Sequence, residues 1–355
     1  MTLLPFLVVL AVTLAWFLLP LIPALRELLR PTDTTPLSVV ERDAANLAFF
    51  AERFRLWITA QLAGLPVDIP EGDYYGRLPS GTGFVRVRNL PDALSRGPRP
   101  DGAHDRVIVT ETPVTLAGRE TFLLEVYATA PWTGGPDTTL RALYGTADVR
   151  LGRQSTVTRW IHSDGILLVE EGSLLFGRAS SASAIRLGTG VRFERIGAPR
   201  IEVGPAHPRG TGTPGAVERT TWVPPDRVRS VGDHLHVDGD ADLPAGTEHR
   251  GDLVVAGTLT IGAGARVEGS VKAHRSIQVG RGGVITGSLV SRTTIETAGD
   301  VTVGGPVIAE DGVVLGEGTL VGHPGRETTV VSPLVTLTPG VVVFGQVNAG
   351  VRGTT

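Results

Sequence analysis

Apolar residues recur along most of this chain at a spacing of 18. Written in rows from His249, the second half reads HRGDLVVAGTLTIGAGAR, VEGSVKAHRSIQVGRGGV, ITGSLVSRTTIETAGDVT and VGGPVIAEDGVVLGEGTL. One column holds Leu253, Val271, Leu289 and Val307; a second holds Leu259, Ile277, Ile295 and Val313; a third holds Ile261, Val279, Thr297 and Leu315. A fixed period of this kind marks stacked supersecondary units. Within each row apolar and polar residues mostly alternate, which is the strand period. The pattern therefore predicts an all-β, parallel β-helix of 18-residue coils. Each coil is hydrogen-bonded to the next at about 4.8 Å. Ile277 and Ile295 should face inward, and Gln278 outward.

The same spacing runs through the first half: Val149, Leu167 and Ile185; Leu151, Val169 and Leu187; Val157, Leu175 and Phe193. The chain thus divides into two coil blocks, over 107–203 and 233–347. The Pro- and Gly-rich stretch 204–232 between them reads as a protruding loop, and 348–355 as a short tail. Both blocks open on similar lettering, VTLAGRE ending at Glu120 and ADLPAGTE ending at Glu248, which suggests internal duplication. Glycine also recurs every 18 residues, at Gly251, Gly269, Gly287 and Gly305. Corner glycines are expected because glycine tolerates dihedrals that other residues avoid.

The N-terminus differs. Thr2 to Leu25 contains no charged side chain, and about 20 apolar residues suffice to cross a bilayer. No basic start or small-residue cleavage site marks it as a cleavable signal. Arg26 and Arg30 come after the run, and basic residues favour the cytoplasmic side. Residues 1–30 are therefore expected to form a single-pass transmembrane anchor, with the body of the protein in the cytoplasm. Within 31–106, residues 36–63 read as one amphipathic helix, starting near Thr34, Thr35 and Pro36. Its stripe of Val40, Leu47, Phe54 and Gln61, with Phe50 and Trp57 on an adjacent line, must pack on something. The membrane surface or the end of the following domain is the expected support. The rest, 64–106, reads as linker with one short strand near Phe84–Val87.

A solenoid has two open ends, and terminal repeats need capping. The last coil, LVTLTPGVVVFGQVNA, places Val335, Leu337, Val343 and Val347 in inward columns. Phe344 shares its column with Glu268, Thr286 and Gly304 and should point outward, where a large apolar ring needs a cover. With only a short tail beyond it, this coil would offer unpaired backbone to a partner strand. The expectation is a symmetric tail-to-tail contact between two chains through Phe344, Val343, Val347 and Leu337.

Composition narrows the chemistry. The chain has no cysteine, which excludes disulfides and thiolate metal sites. A formal net charge of −3 argues against nucleic acid as a partner. No Gly-Lys-Ser/Thr completes a phosphate loop, and the Gly-x-Gly triplets are repeat corners. No cofactor is expected. His162, His274 and His323 are candidates for a catalytic histidine. His234 and His236, with Asp233 and Asp238, are the best metal candidates, but zinc needs three or four converging ligands. The column His274, Arg292, Glu310 reads as a solvated ladder with an Arg292–Glu310 contact, and Arg153 with Glu171 as another such pair. Glu170 and Glu171 are adjacent, and on a strand they would point to opposite faces. They do not read as a glycosidase pair.

GSVKAHRSIQVG, GSLVSRTTIET and GPVIAEDGVVLG resemble the bactofilins, the bacterial polymer-forming cytoskeletal proteins. Glycine followed by Ser or Pro, an apolar pair, then Ala or Ser, is their recurrent lettering. The likeness is good over 249–349 and fainter over 107–203. It implies a right-handed β-helix that polymerises end to end without nucleotide, as a non-enzymatic, membrane-associated scaffold for cell shape or for placing envelope and cell-wall proteins. The two blocks, the long interruption and the long N-terminal region depart from that pattern. The alternative is a left-handed hexapeptide-repeat acyltransferase, whose coils have this length and whose active site lies between trimer subunits. The column of Ala265, Gly283, Val301 and Thr319, on the third side of each coil, is poor by that standard.

Overall fold

The computed structural model describes residues 8–10, 13–14, 16, 19, 46–66, 72–88, 99, 102–204, 220–223, 228–231 and 234–355. The start of the helix expected at 36–63 and most of the anchor expected at 1–30 lie outside them. Among the described residues no helix is long and apolar enough to cross a membrane.

The compact unit Leu47–Thr355 is a parallel β-solenoid of about 13 turns. The predicted columns are its rungs. Val149 pairs with Leu167, and Leu167 with Ile185. Leu259, Ile277, Ile295 and Val313 pair in register from one coil to the next. All of these are buried, whereas Gln278 is exposed. The apolar columns of both blocks form one continuous core, from Val85 to Ala349.

Glycine serves two purposes in the repeat. Gly282 has φ +70°, and the same corner of the next coil holds Asp300 at φ +59°. There the backbone needs the left-handed region, which Gly, Asn and Asp enter most easily. The series Gly269, Gly287, Gly305 is different, because none of these has a positive φ. A Cβ on Gly287 would sit 2.6 Å from the Gly269 carbonyl. At Gly269, Gly287 and Gly305 glycine is required by the close approach of one coil to the next, whereas Gly251 at the head of the column, at φ +104°, also needs dihedral freedom.

The first block starts earlier than its repeat lettering. Gly83–Val87 is the first rung, paired with Val107–Thr110. Tyr74–Arg77 closes an antiparallel hairpin onto it. The second block opens the same way: Val228–Val231, within the stretch read as loop, pairs antiparallel with His234–Val237. The 348–355 tail is also strand. It continues Val342–Thr354, which pairs in parallel with Thr328–Leu337. A short insertion around His323–Arg326 lengthens one coil, so Val307 pairs with Val330 rather than with a residue 18 further on.

Helix α1, Phe49–Ala63, lies along the side of the first block and not over its end. Ala51, Phe54 and Ile58 pack on Phe84, Val107, Val109, Tyr127, Ala142, Tyr144 and Trp160, which point outward from successive rungs. Leu47 sits against Gly197 of the block's last coil, and Gln61 Oε1 accepts from the Ser80 N–H beside its first. From Leu47 to Gln61 the chain rises about 21 Å at 1.5 Å per residue, enough to cross four to five rungs. The helix therefore runs along the solenoid axis. Leu47, Phe54 and Gln61 face the sheet as the stripe predicts, but Phe50 and Trp57 remain exposed and Ala51 and Ile58 take their place.

Candidate functional site

The last strands of the two blocks meet. Arg192–Val203 pairs antiparallel with Val342–Thr354, Ile196 opposite Val347 and Ile201 opposite Val343. Hydrogen bonds continue round both ends of the contact. The Gly340 N–H donates to the Val203 carbonyl at 2.7 Å, and the Thr355 N–H to the Val191 carbonyl at 3.1 Å. Gly353 leaves room for the Phe193 ring, which any side chain there would strike.

The tail-to-tail contact expected between two chains is thus made within one. Val343, Val347 and Leu337 are fully buried. Phe344 leaves the inward columns as expected but is only 5% exposed. Its cover is Arg200 of the first block, whose guanidinium lies 5.7 Å from the ring centroid. The open backbone edge that made this end a candidate interface is occupied by Arg192–Val203.

A groove of about 800 Å³ runs along the outside of this seam. Leu320, Val342 and Phe344 supply its apolar lining, and Arg281, Asp300, Glu317 and His323 are among its polar residues. Arg281 is held to Asp300 at 2.6 Å, and Glu202 is paired with both Arg186 and Arg200. A second hollow of about 350 Å³ shares Gly204 with it and is lined by Arg153, Glu170 and Glu171. Here the strand argument fails. The strand Ile166–Val169 ends before the two glutamates, so both border the same hollow. Glu170 is engaged by Arg150. Arg150 with Glu170, Arg186 with Glu202 and Arg281 with Asp300 are thus ion pairs that span coils here, where Arg153–Glu171 and Arg292–Glu310 ladders were expected.

A buried polar cluster lies beneath α1. Tyr127, Tyr144, His162 and Ser180 occupy successive rungs of one outward column. His162 Nδ1 lies 2.8 Å from Ser180 Oγ and its Nε2 3.1 Å from Asp164, while the Tyr144 hydroxyl donates to Asp164 at 2.8 Å. Burial holds the His162 pKa below its ordinary value, against the opposing pull of Asp164. Burial and the Asp164 hydrogen bond push the Tyr144 phenol up. The order Ser, His, Asp suggests a hydrolase, but Ser180 and His162 are 5% and 6% exposed and covered by a helix. The cluster can fasten α1 to the sheet; a substrate carbonyl has no approach to Ser180 Oγ. Sequence spacing flagged His162 and missed its partners.

The other histidines disperse. His234 faces Asp252 at 3.3 Å, and Asp238 is taken by Arg229. His274 is exposed, and His323 borders the seam groove. Asp233 lies outside the described residues, among which no three His, Asp or Glu side chains gather as a metal site would require. No protein-family model matches the chain, and neither a curated protein nor a solved structure does.

Proposed function

We propose that the chain is a membrane-anchored structural scaffold of bactofilin type, which self-associates without nucleotide and positions envelope or cell-wall proteins. The observation that carries this reading is the seam between Arg192–Val203 and Val342–Thr354. It supports end-on stacking as the way coils of this lettering find partners, and it joins two solenoids into one rod with one core. A rod of about 13 turns at about 4.8 Å per turn is about 60 Å long. Its C-terminal coils face each other, so both outer ends are the N-terminal ends of blocks. Each carries a hairpin, with Tyr74–Arg77 at one end and Val228–Val231 at the other. Growth into a filament would proceed through these hairpin ends, not through Phe344. Arg26 and Arg30 after the apolar run support a cytoplasmic body.

The test is negative-stain microscopy of the purified chain in detergent without nucleotide. The expected result is end-to-end filaments with an axial repeat near the length of one rod. Single rods at high micromolar concentration would overturn the scaffold reading.

A further inference from the structure

Helix α1 is apolar on two sides. Its inner side, Leu47, Ala51, Phe54 and Ile58, is buried in the first block. A helix that only packs on a sheet carries polar residues on its other side. Here Leu56 is 58% exposed, Phe50 48% and Trp57 36%, and Ala60 and Ala63 are exposed with them. The apolar surface continues onto the solenoid. Phe50, Phe54, Trp160 and Phe176 line a hollow of about 400 Å³ beside the helix, and Phe176 is itself 47% exposed; Glu125 and Glu194 also line it, the first paired with Arg141 and the second accepting from the Gly177 N–H.

Arginines frame this surface. The Arg53 guanidinium lies 5.4 Å from the Phe49 ring centroid and that of Arg178 4.8 Å from that of Phe50. Arg55 and Arg159 are exposed nearby. Aromatic rings with flanking arginines suit the boundary between headgroups and acyl chains, where the ring is half wet and the long basic side chain reaches the phosphates. Only 23 residues separate the apolar run ending at Leu25 from Phe49.

We propose that the outer side of α1, with Phe50, Leu56, Trp57 and Phe176, docks on the surface of an anionic bilayer. This rests on the reading of residues 1–30 as an anchor. Because α1 runs along the solenoid axis, a helix lying in the interface plane lays the rod along the membrane. Both hairpin ends then stay free for neighbouring rods.

The chain has no cysteine, so Leu56→Cys accepts a single environment-sensitive fluorophore. Thr260→Cys, exposed on the second block, is the control. Full-length protein is reconstituted into vesicles of phosphatidylcholine and phosphatidylglycerol and floated on a density gradient. The expected result is co-flotation, with the Leu56 label quenched several-fold more by brominated lipid than by aqueous iodide, and the Thr260 label the reverse. If the protein floats but the Leu56 label is as accessible to iodide as the control, the docking surface is wrong and the anchor stands. A Leu56 label shielded from both quenchers also overturns it, in favour of a protein partner. Failure to float sinks the anchor and this inference together.

Discussion

Ile196 lies directly opposite Val347, on strands that run antiparallel, although every coil-to-coil contact inside either block is parallel. Both residues are fully buried. The reversal results from joining two C-terminal ends: the chain cannot stack tail on tail and keep its direction. The joint is therefore a core contact, and breaking it should unfold more than the joint.

Ile196→Ala is expected to cost about 2–5 kcal/mol, the range for truncating a large aliphatic core residue. Val351→Ala, on the opposite strand Val342–Thr354 but 71% exposed, should stay within about 0.5 kcal/mol. Thermal unfolding should show one transition for both blocks, because they share one core. Two separate transitions in the unmodified protein, or equal effects from the two substitutions, would contradict the shared core.

Inside the second block, Ile277→Asp buries an unpaired charge and should cost several kcal/mol, whereas Gln278→Asp, one residue away on the exposed side, should be nearly neutral. Equal losses in denaturant midpoint would mean that the inward and outward columns are misassigned.

The two glycine columns separate by substitution to asparagine. Gly282→Asn should cost less than about 1 kcal/mol, because Asn enters the left-handed region readily and Asp300 already does so one coil on. Gly287→Asn drives a Cβ into the Gly269 carbonyl and should cost about 1–3 kcal/mol, as overpacking does. Calorimetry of the two variants decides between dihedral freedom and close approach as the reason for each column.

The columns were legible because a period of 18 fixes which side chains face in, and Leu259, Ile277, Ile295 and Val313 need nothing else to declare themselves. The seam was not legible. The pairing of Arg192–Val203 with Val342–Thr354 is made by backbone groups, which every residue carries, so lettering cannot tell an edge left for a second chain from one the same chain fills. Phe344 marked the right end of the solenoid for that reason and suggested the wrong partner. The α1 stripe announced that Leu47 and Phe54 would be covered, but not by which surface. Its cover is two neighbouring outward columns, Tyr127 and Tyr144 in one and Ala142 and Trp160 in the other, whose burial depends on the helix itself. Ser180 and Asp164 gave no signal because they join His162 only through rung stacking and a turn.

That cluster sets a dependence on pH. Burial lowers the pKa of His162, and likewise of His104 and His249. In the unfolded chain each takes up a proton near pH 6.5, while in the fold each stays neutral to lower pH. The unfolded state therefore binds more protons as pH drops below about 6.5, and stability present above that value is lost on acidification. For His162 the groups that set the balance are Asp164 and Glu52, which favour the charged ring, and Arg55, which opposes it. Melting temperature should be flat from about pH 8 to 7 and fall from about pH 6.5 to 5. His162→Asn, which cannot titrate, should melt lower than the unmodified protein at about pH 8 and show a shallower acid decline. An unchanged slope in the variant would mean that His162 titrates alike in the folded and unfolded chain, and a steeper one that Ser180 and Asp164 hold an imidazolium beneath the helix.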